Sequence, residues 1–111
     1  MDRKDRKAAL AAYRERKTEP GVFALRCVAS GEVWVGRAQD LPAIRNRIFF
    51  TLRQGANPHR KLQAAWNAHG EEGLVFEVLE ILDPEKLELA FERELKDRHA
   101  HWMERLGATR L

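Results

Sequence analysis

The chain has a single cysteine, Cys27, and a single tyrosine, Tyr13, among its 111 residues. One thiol excludes an internal disulfide, and its place between Arg26 and Val28 in an apolar strand pattern reads as a small buried hydrophobe. The histidines, His59, His69, His99 and His101, have no cysteines at zinc-binding spacing, which excludes a structural zinc site of that type. No apolar run approaches the ~20 residues that span a bilayer, so no membrane partner is expected. The opening Met1-Asp2-Arg3-Lys4-Asp5-Arg6-Lys7 is charged and leads into alanines rather than a long apolar core. The expectation is a cytoplasmic protein without a secretory signal.

Charge is plentiful but segregated. The net charge is +3, yet residues 37–61 carry six Lys/Arg against one acid, whereas residues 71–106 carry eleven acids against five bases. Clustered cations raise affinity for phosphate backbones, and distant acids are partly screened. Taken alone, the same charges also describe a solvated helix surface.

Hydrophobic residues make up 44% of the chain, enough for the single core that this length permits. Residues 3–17 carry good helix formers and stop at Thr18-Glu19-Pro20-Gly21, which predicts an N-terminal helical arm over residues 1–19. Strands are expected over 22–28 and 32–35, joined through Gly31, which can take the positive φ of a tight hairpin. In their alternation Phe23, Leu25 and Cys27 share one face, as do Trp34 and Gly36. Asp40 and Pro42 open a helix that reaches about Gln54 with Leu41, Ile44, Ile48 and Leu52 inward; a second runs over 58–69. A third strand over 74–82 and one long helix over 84–106 complete the folded part, leaving 108–111 as a tail.

The Gly21-Val22-Phe23 and Trp34-Val35-Gly36 triplets, ten residues apart, carry the most specific signal. Together with Asn46-Arg47, Gly55, Lys61-Leu62-Gln63-Ala64-Ala65-Trp66-Asn67, Gly70, Phe76-Glu77-Val78-Leu79 and Trp102-Met103-Glu104-Arg105-Leu106, this order resembles the GIY-YIG nuclease domain. The likeness covers residues 20–107. It implies an α/β (α+β) domain in which a three-stranded antiparallel sheet is flanked by helices, with DNA as the partner.

In family members that cut DNA, two motif tyrosines occupy the cleft, an arginine on the first helix meets phosphate, and a glutamate on the last helix holds a divalent metal. Here the corresponding positions hold Phe23, Trp34, Ile44 and His99. Neither aromatic carries a hydroxyl that could handle a proton, and histidine alone is a poor ligand for magnesium. The resemblance therefore implies a DNA-binding protein with a degenerate or rearranged site, phosphate contacts falling to Arg37, Arg45, Arg47, Arg53, Arg60 and Lys61. Phe23 and Trp34 are core aromatics or stacking surfaces, Trp34 the more exposed of the two because of its size. The alternative is an active endonuclease using Mg or Mn. His99 would then be a metal ligand, or with His59 or His101 a substitute base, while Glu92, Asp97 and Tyr13 would serve as replacement groups. A protein-interaction module built on the acidic last helix is the third reading.

Overall fold

The computed structural model describes residues 19–111, so the expected arm and Tyr13 lie outside the described residues. Strands β1 (Gly21–Cys27) and β2 (Val33–Ala38) form the expected hairpin, in register from Gly21 opposite Ala38 to Arg26 opposite Val33. Its turn closes through Gly31, whose φ is +78°, a conformation that glycine adopts without a β-carbon penalty. Strand β3 (Leu74–Ile81) pairs antiparallel with the other edge of β1, with a register shift at Val22/Phe23.

The sheet has four strands rather than three, in the order β3-β1-β2-β4. Thr109 and Arg110, expected in the tail, form β4 and pair in parallel with Trp34 and Val35. Gly107, in the left-handed region at φ +58°, ends the last helix and turns the chain back to the sheet. A two-residue parallel strand leaves no alternation to read in sequence; only its docking on β2 defines it.

Because β1 is central, both of its faces are covered. Phe23, Leu25, Cys27 and Trp34 pack on one side with Leu41, Ile48, Phe49 and Leu52 of α1 (Leu41–Arg53) and with Leu62 of α2 (Arg60–His69). Val22, Ala24 and Val35 face the other side, against Phe91 and Leu95 of the last helix. Glu80 of β3 ties that helix down, accepting hydrogen bonds from Arg98 Nε at 2.8 Å and Trp102 Nε1 at 2.9 Å. Burial pushes the Glu80 carboxyl up, but these two donors and the Arg98 and His101 charges outweigh it and hold the group below the usual glutamate range.

The long final helix is interrupted. A short α3 (Pro84–Leu87), capped by Asp83 Oδ1 accepting from the Glu85 N–H, gives way to a 3-10 turn over Glu88–Ala90 before α4 (Phe91–Leu106) begins. Glu88 has φ +48° and ψ −118°, a sparsely populated conformation costing about 1–3 kcal/mol for a residue with a β-carbon. Leu87, Phe91 and Leu95 keep a four-residue spacing through the break, so periodicity reads as continuous where the backbone changes direction. Asp40 also differs from expectation: it precedes α1 but makes no capping hydrogen bond. Among the described residues, no helix is long and apolar enough to cross a membrane.

Candidate functional site

The hairpin and α1 leave a cleft of about 450 Å³ between them, bounded by the loop that leads into α2 and by Leu111. Its floor depends on a large residue set opposite the smallest. Phe23 and Gly36 are register partners, and a β-carbon on Gly36 would lie 2.5 Å from the Phe23 ring. With that space open, Phe23 lies flat and stacks on Phe76, centroids 5.0 Å apart with 16° between planes. Phe23 is 2% exposed and Trp34 only 1%, so Trp34 is not the more exposed aromatic. β2 is flanked on both edges, and α2 covers the face from which its indole projects.

The cleft wall combines Ile44, Ile48, Pro58 and Leu62 with Arg37, Arg47, Thr51, Asn57 and His59. Ile44, expected at the family's arginine position, contributes an apolar surface. The two arginines at the cleft come from different elements, Arg37 from the end of β2 and Arg47 from α1. The remaining four cations go elsewhere. Arg45 lies over the Phe49 ring at 5.1 Å, Arg53 pairs with Glu71 at 2.6 Å, Lys61 lines a separate pocket beside Cys27 and Ser30, and Arg60 is exposed at the start of α2. Helix geometry explains the split within α1, since successive residues turn by about 100° and Arg45 and Arg47 diverge by about 200°.

A polar brace that sequence reasoning missed holds the loop before α2. Asn57 Nδ2 donates to Thr51 Oγ1 at 3.0 Å, and the Asn57 N–H donates to Gln63 Oε1 at 3.0 Å. Gln63 Nε2 donates to Leu52 O at 3.1 Å and to Asn67 Oδ1 at 3.0 Å, while Asn57 Oδ1 accepts the His59 N–H at 2.9 Å. The one available signal was Gln63, a polar residue embedded among Leu62, Ala65 and Trp66 on an inward helix face. The brace sets the His59 ring edge-on to Trp34, centroids 6.3 Å apart. Trp34 Nε1 and His59 Nδ1 are both buried with no hydrogen-bond partner among the described residues.

His99 is far from this arrangement in function. It is 3% exposed on α4, and its Nε2 donates to Val35 O at 2.9 Å, the carbonyl that also accepts the Leu111 N–H. Burial lowers the imidazole's affinity for a proton, and the Arg37 and Arg110 charges lower it further against the opposing effect of the Val35 bond. The ring is therefore neutral, with the Nε2 proton committed to the carbonyl. Glu92 accepts from Gln39 Nε2 at 2.9 Å, and Asp97 and His101 are exposed on α4. Among the described residues, no three His, Cys, Asp or Glu side chains come together as ligands for a metal ion. Buried with its Nε2 on the Val35 carbonyl, His99 does not fit the divalent ion that the resemblance implies.

The state of His99 has a measurable consequence. The unfolded chain takes up a proton near pH 6.5 and the folded one does so only at lower pH, so stability should fall as pH drops below about 6.5. The decline levels off once the folded ring also titrates. Urea unfolding at pH 7.5 and 5.5 should give a loss of stability that is smaller in His99→Gln; an identical loss in that variant refutes the assignment.

A hairpin with a glycine facing an aromatic, α1 and α2 on one face and α4 on the other define the chain as an α/β domain with a GIY-YIG-like fold. Among solved structures it is similar to the catalytic domain of homing endonuclease I-TevI, with TM-score 0.69 and 24% identity over 84% of this chain and 98% of that one. It is also similar to a mutant of the catalytic domain of intron endonuclease I-TevI, with TM-score 0.66 and 26% identity over 80% of this chain and 84% of that one. No family model matches the chain, and neither does any curated protein sequence. The similarity is one of fold, to GIY-YIG catalytic domains.

Proposed function

We propose that this domain binds DNA at the cleft face and does not hydrolyse it by the tyrosine-and-metal route. The observation that carries the reading is the composition of the cleft, in which Arg37 and Arg47 stand beside Phe23 and Ile44, neither of which can accept a proton or meet a phosphate charge. The structural neighbours are endonuclease catalytic domains, which supports nucleic acid as the ligand class. Guanidinium groups from two elements can contact neighbouring phosphates, giving sequence-tolerant binding that weakens with salt. General base catalysis needs a group that accepts a proton, and Phe23 and Trp34 offer none.

The test joins two measurements. Duplex DNA should be retarded in a mobility-shift titration, and log affinity should fall with log salt by about 0.9 for each phosphate neutralised. Supercoiled plasmid with added magnesium or manganese should remain supercoiled. Metal-dependent nicking by the purified protein would refute the catalytic part, and failure to retard any nucleic acid would refute the binding part.

A further inference from the structure

The cleft is a poor match for a duplex backbone alone. A polyanionic ribbon calls for a broad cationic surface, whereas only Arg37 and Arg47 of the six candidate cations line a cavity whose walls are largely Ile44, Ile48, Pro58 and Leu62. Its volume of about 450 Å³ lies within the range of pockets that enclose small molecules, ~300–1,000 Å³. Apolar walls stabilise a ligand with apolar faces, while the two arginines call for an anionic group at the same ligand's edge. His59 lines one end of the cleft, and its Nδ1 is buried with no hydrogen-bond partner among the described residues. An unmet buried polar atom is costly, so a ligand with donors and acceptors on its rim is favoured there.

We propose that the cleft holds one unpaired nucleotide, its base between the apolar walls, its edge toward His59 and its phosphate between Arg37 and Arg47. The inference rests on the nucleic-acid reading above and narrows it from a phosphate backbone to a nucleoside monophosphate unit. A planar base has apolar faces and a polar rim, and its attached phosphate supplies the charge. His59 lines the cleft, which places a polar ring at that rim. A base inside a duplex is stacked and paired on these same surfaces, so only an extruded, terminal or single-stranded nucleotide can enter. A free mononucleotide offers the same chemistry without a strand.

Fluorescence anisotropy at one ionic strength decides the matter, using four labelled oligonucleotides of equal length: a paired duplex, a duplex with one unpaired base, the same duplex with an abasic residue there, and a single strand. The unpaired-base duplex and the single strand should bind at least ~10-fold more tightly than the paired duplex, and the abasic duplex should lose that gain, as expected when a base leaves an apolar pocket. Adenosine monophosphate as competitor, with inorganic phosphate as control, separates the two sources. Competition by the nucleotide without any strand preference assigns the site to a free mononucleotide. Ile44→Trp, which fills the cleft from a half-buried position, should erase the preference, whereas Arg53→Ala, paired outside the cleft, should keep it. If Ile44→Trp does not fold, the abasic comparison on the unaltered protein still decides. Equal, salt-sensitive affinity for all four oligonucleotides together with no competition by the mononucleotide would overturn this inference and leave DNA binding standing. No binding to any oligonucleotide and no mononucleotide competition would overturn both.

Discussion

Gly36→Ala is expected to destabilise the domain by about 3 kcal/mol, at the upper end of the usual cost of overpacking a core. The new β-carbon would sit 2.5 Å from Phe23 Cζ and 2.9 Å from Cε1, well inside contact distance. Phe23 cannot retreat, because its other face is stacked on Phe76 and it is 2% exposed. Replacing a strand glycine usually gains some tenths of a kcal/mol through the unfolded state, which is too little to offset the clash. Phe23→Leu in the same chain should recover part of the loss by making room, so a double-mutant cycle from urea unfolding should be non-additive. Additive effects, or a Gly36→Ala protein as stable as the parent, would refute the packing explanation. Gly21→Ala should be at least as damaging, since its β-carbon would run into the Glu80 carbonyl oxygen, a backbone atom held by the β1–β3 pairing.

Removing both cleft arginines, Arg37→Ala with Arg47→Ala, should weaken duplex DNA binding by roughly 10- to 100-fold near physiological salt. It should also flatten the dependence of log affinity on log salt by about 1.8, the value for two lost phosphate contacts. Arg53→Ala should change affinity less than about twofold, because that guanidinium is engaged by Glu71 at 2.6 Å away from the cleft. Affinity measured across a salt series for the three proteins checks this. An unchanged slope in the double variant would place the DNA elsewhere on the surface.

At Gly21 and Gly36 neighbouring atoms leave no room for a β-carbon, so packing alone accounts for both glycines, and it calls for no tyrosine hydroxyl. The fold can therefore persist where the hydroxyl chemistry is absent. For the same reason, a likeness carried by glycines and apolar spacing is evidence of architecture before it is evidence of catalysis.

Local patterns were enough for the hairpin, α1, α2 and β3, because alternation, a turn glycine and three- and four-residue apolar steps are all expressed within a short window. They also identified Cys27 as buried, which it is, at 0% exposure. The same patterns missed the break at Glu88, where one residue's φ changes the chain direction without disturbing the spacing. The cation cluster was legible only as a run of Lys and Arg along the chain. In space two of its members reach the cleft, and the others take an aromatic ring, an acid, a second pocket and solvent.

The order of strands and helices, the motif glycines and the missing hydroxyls are properties of the chain written in its residues, since each follows from chemistry within a few positions. The fourth strand, the brace from Asn57 to Gln63, the burial of His99 on the Val35 carbonyl and the apolar cleft between two arginines were decided by tertiary structure alone. Each joins groups far apart in sequence or on helix faces whose direction depends on how the helix docks, and no local pattern encodes that direction.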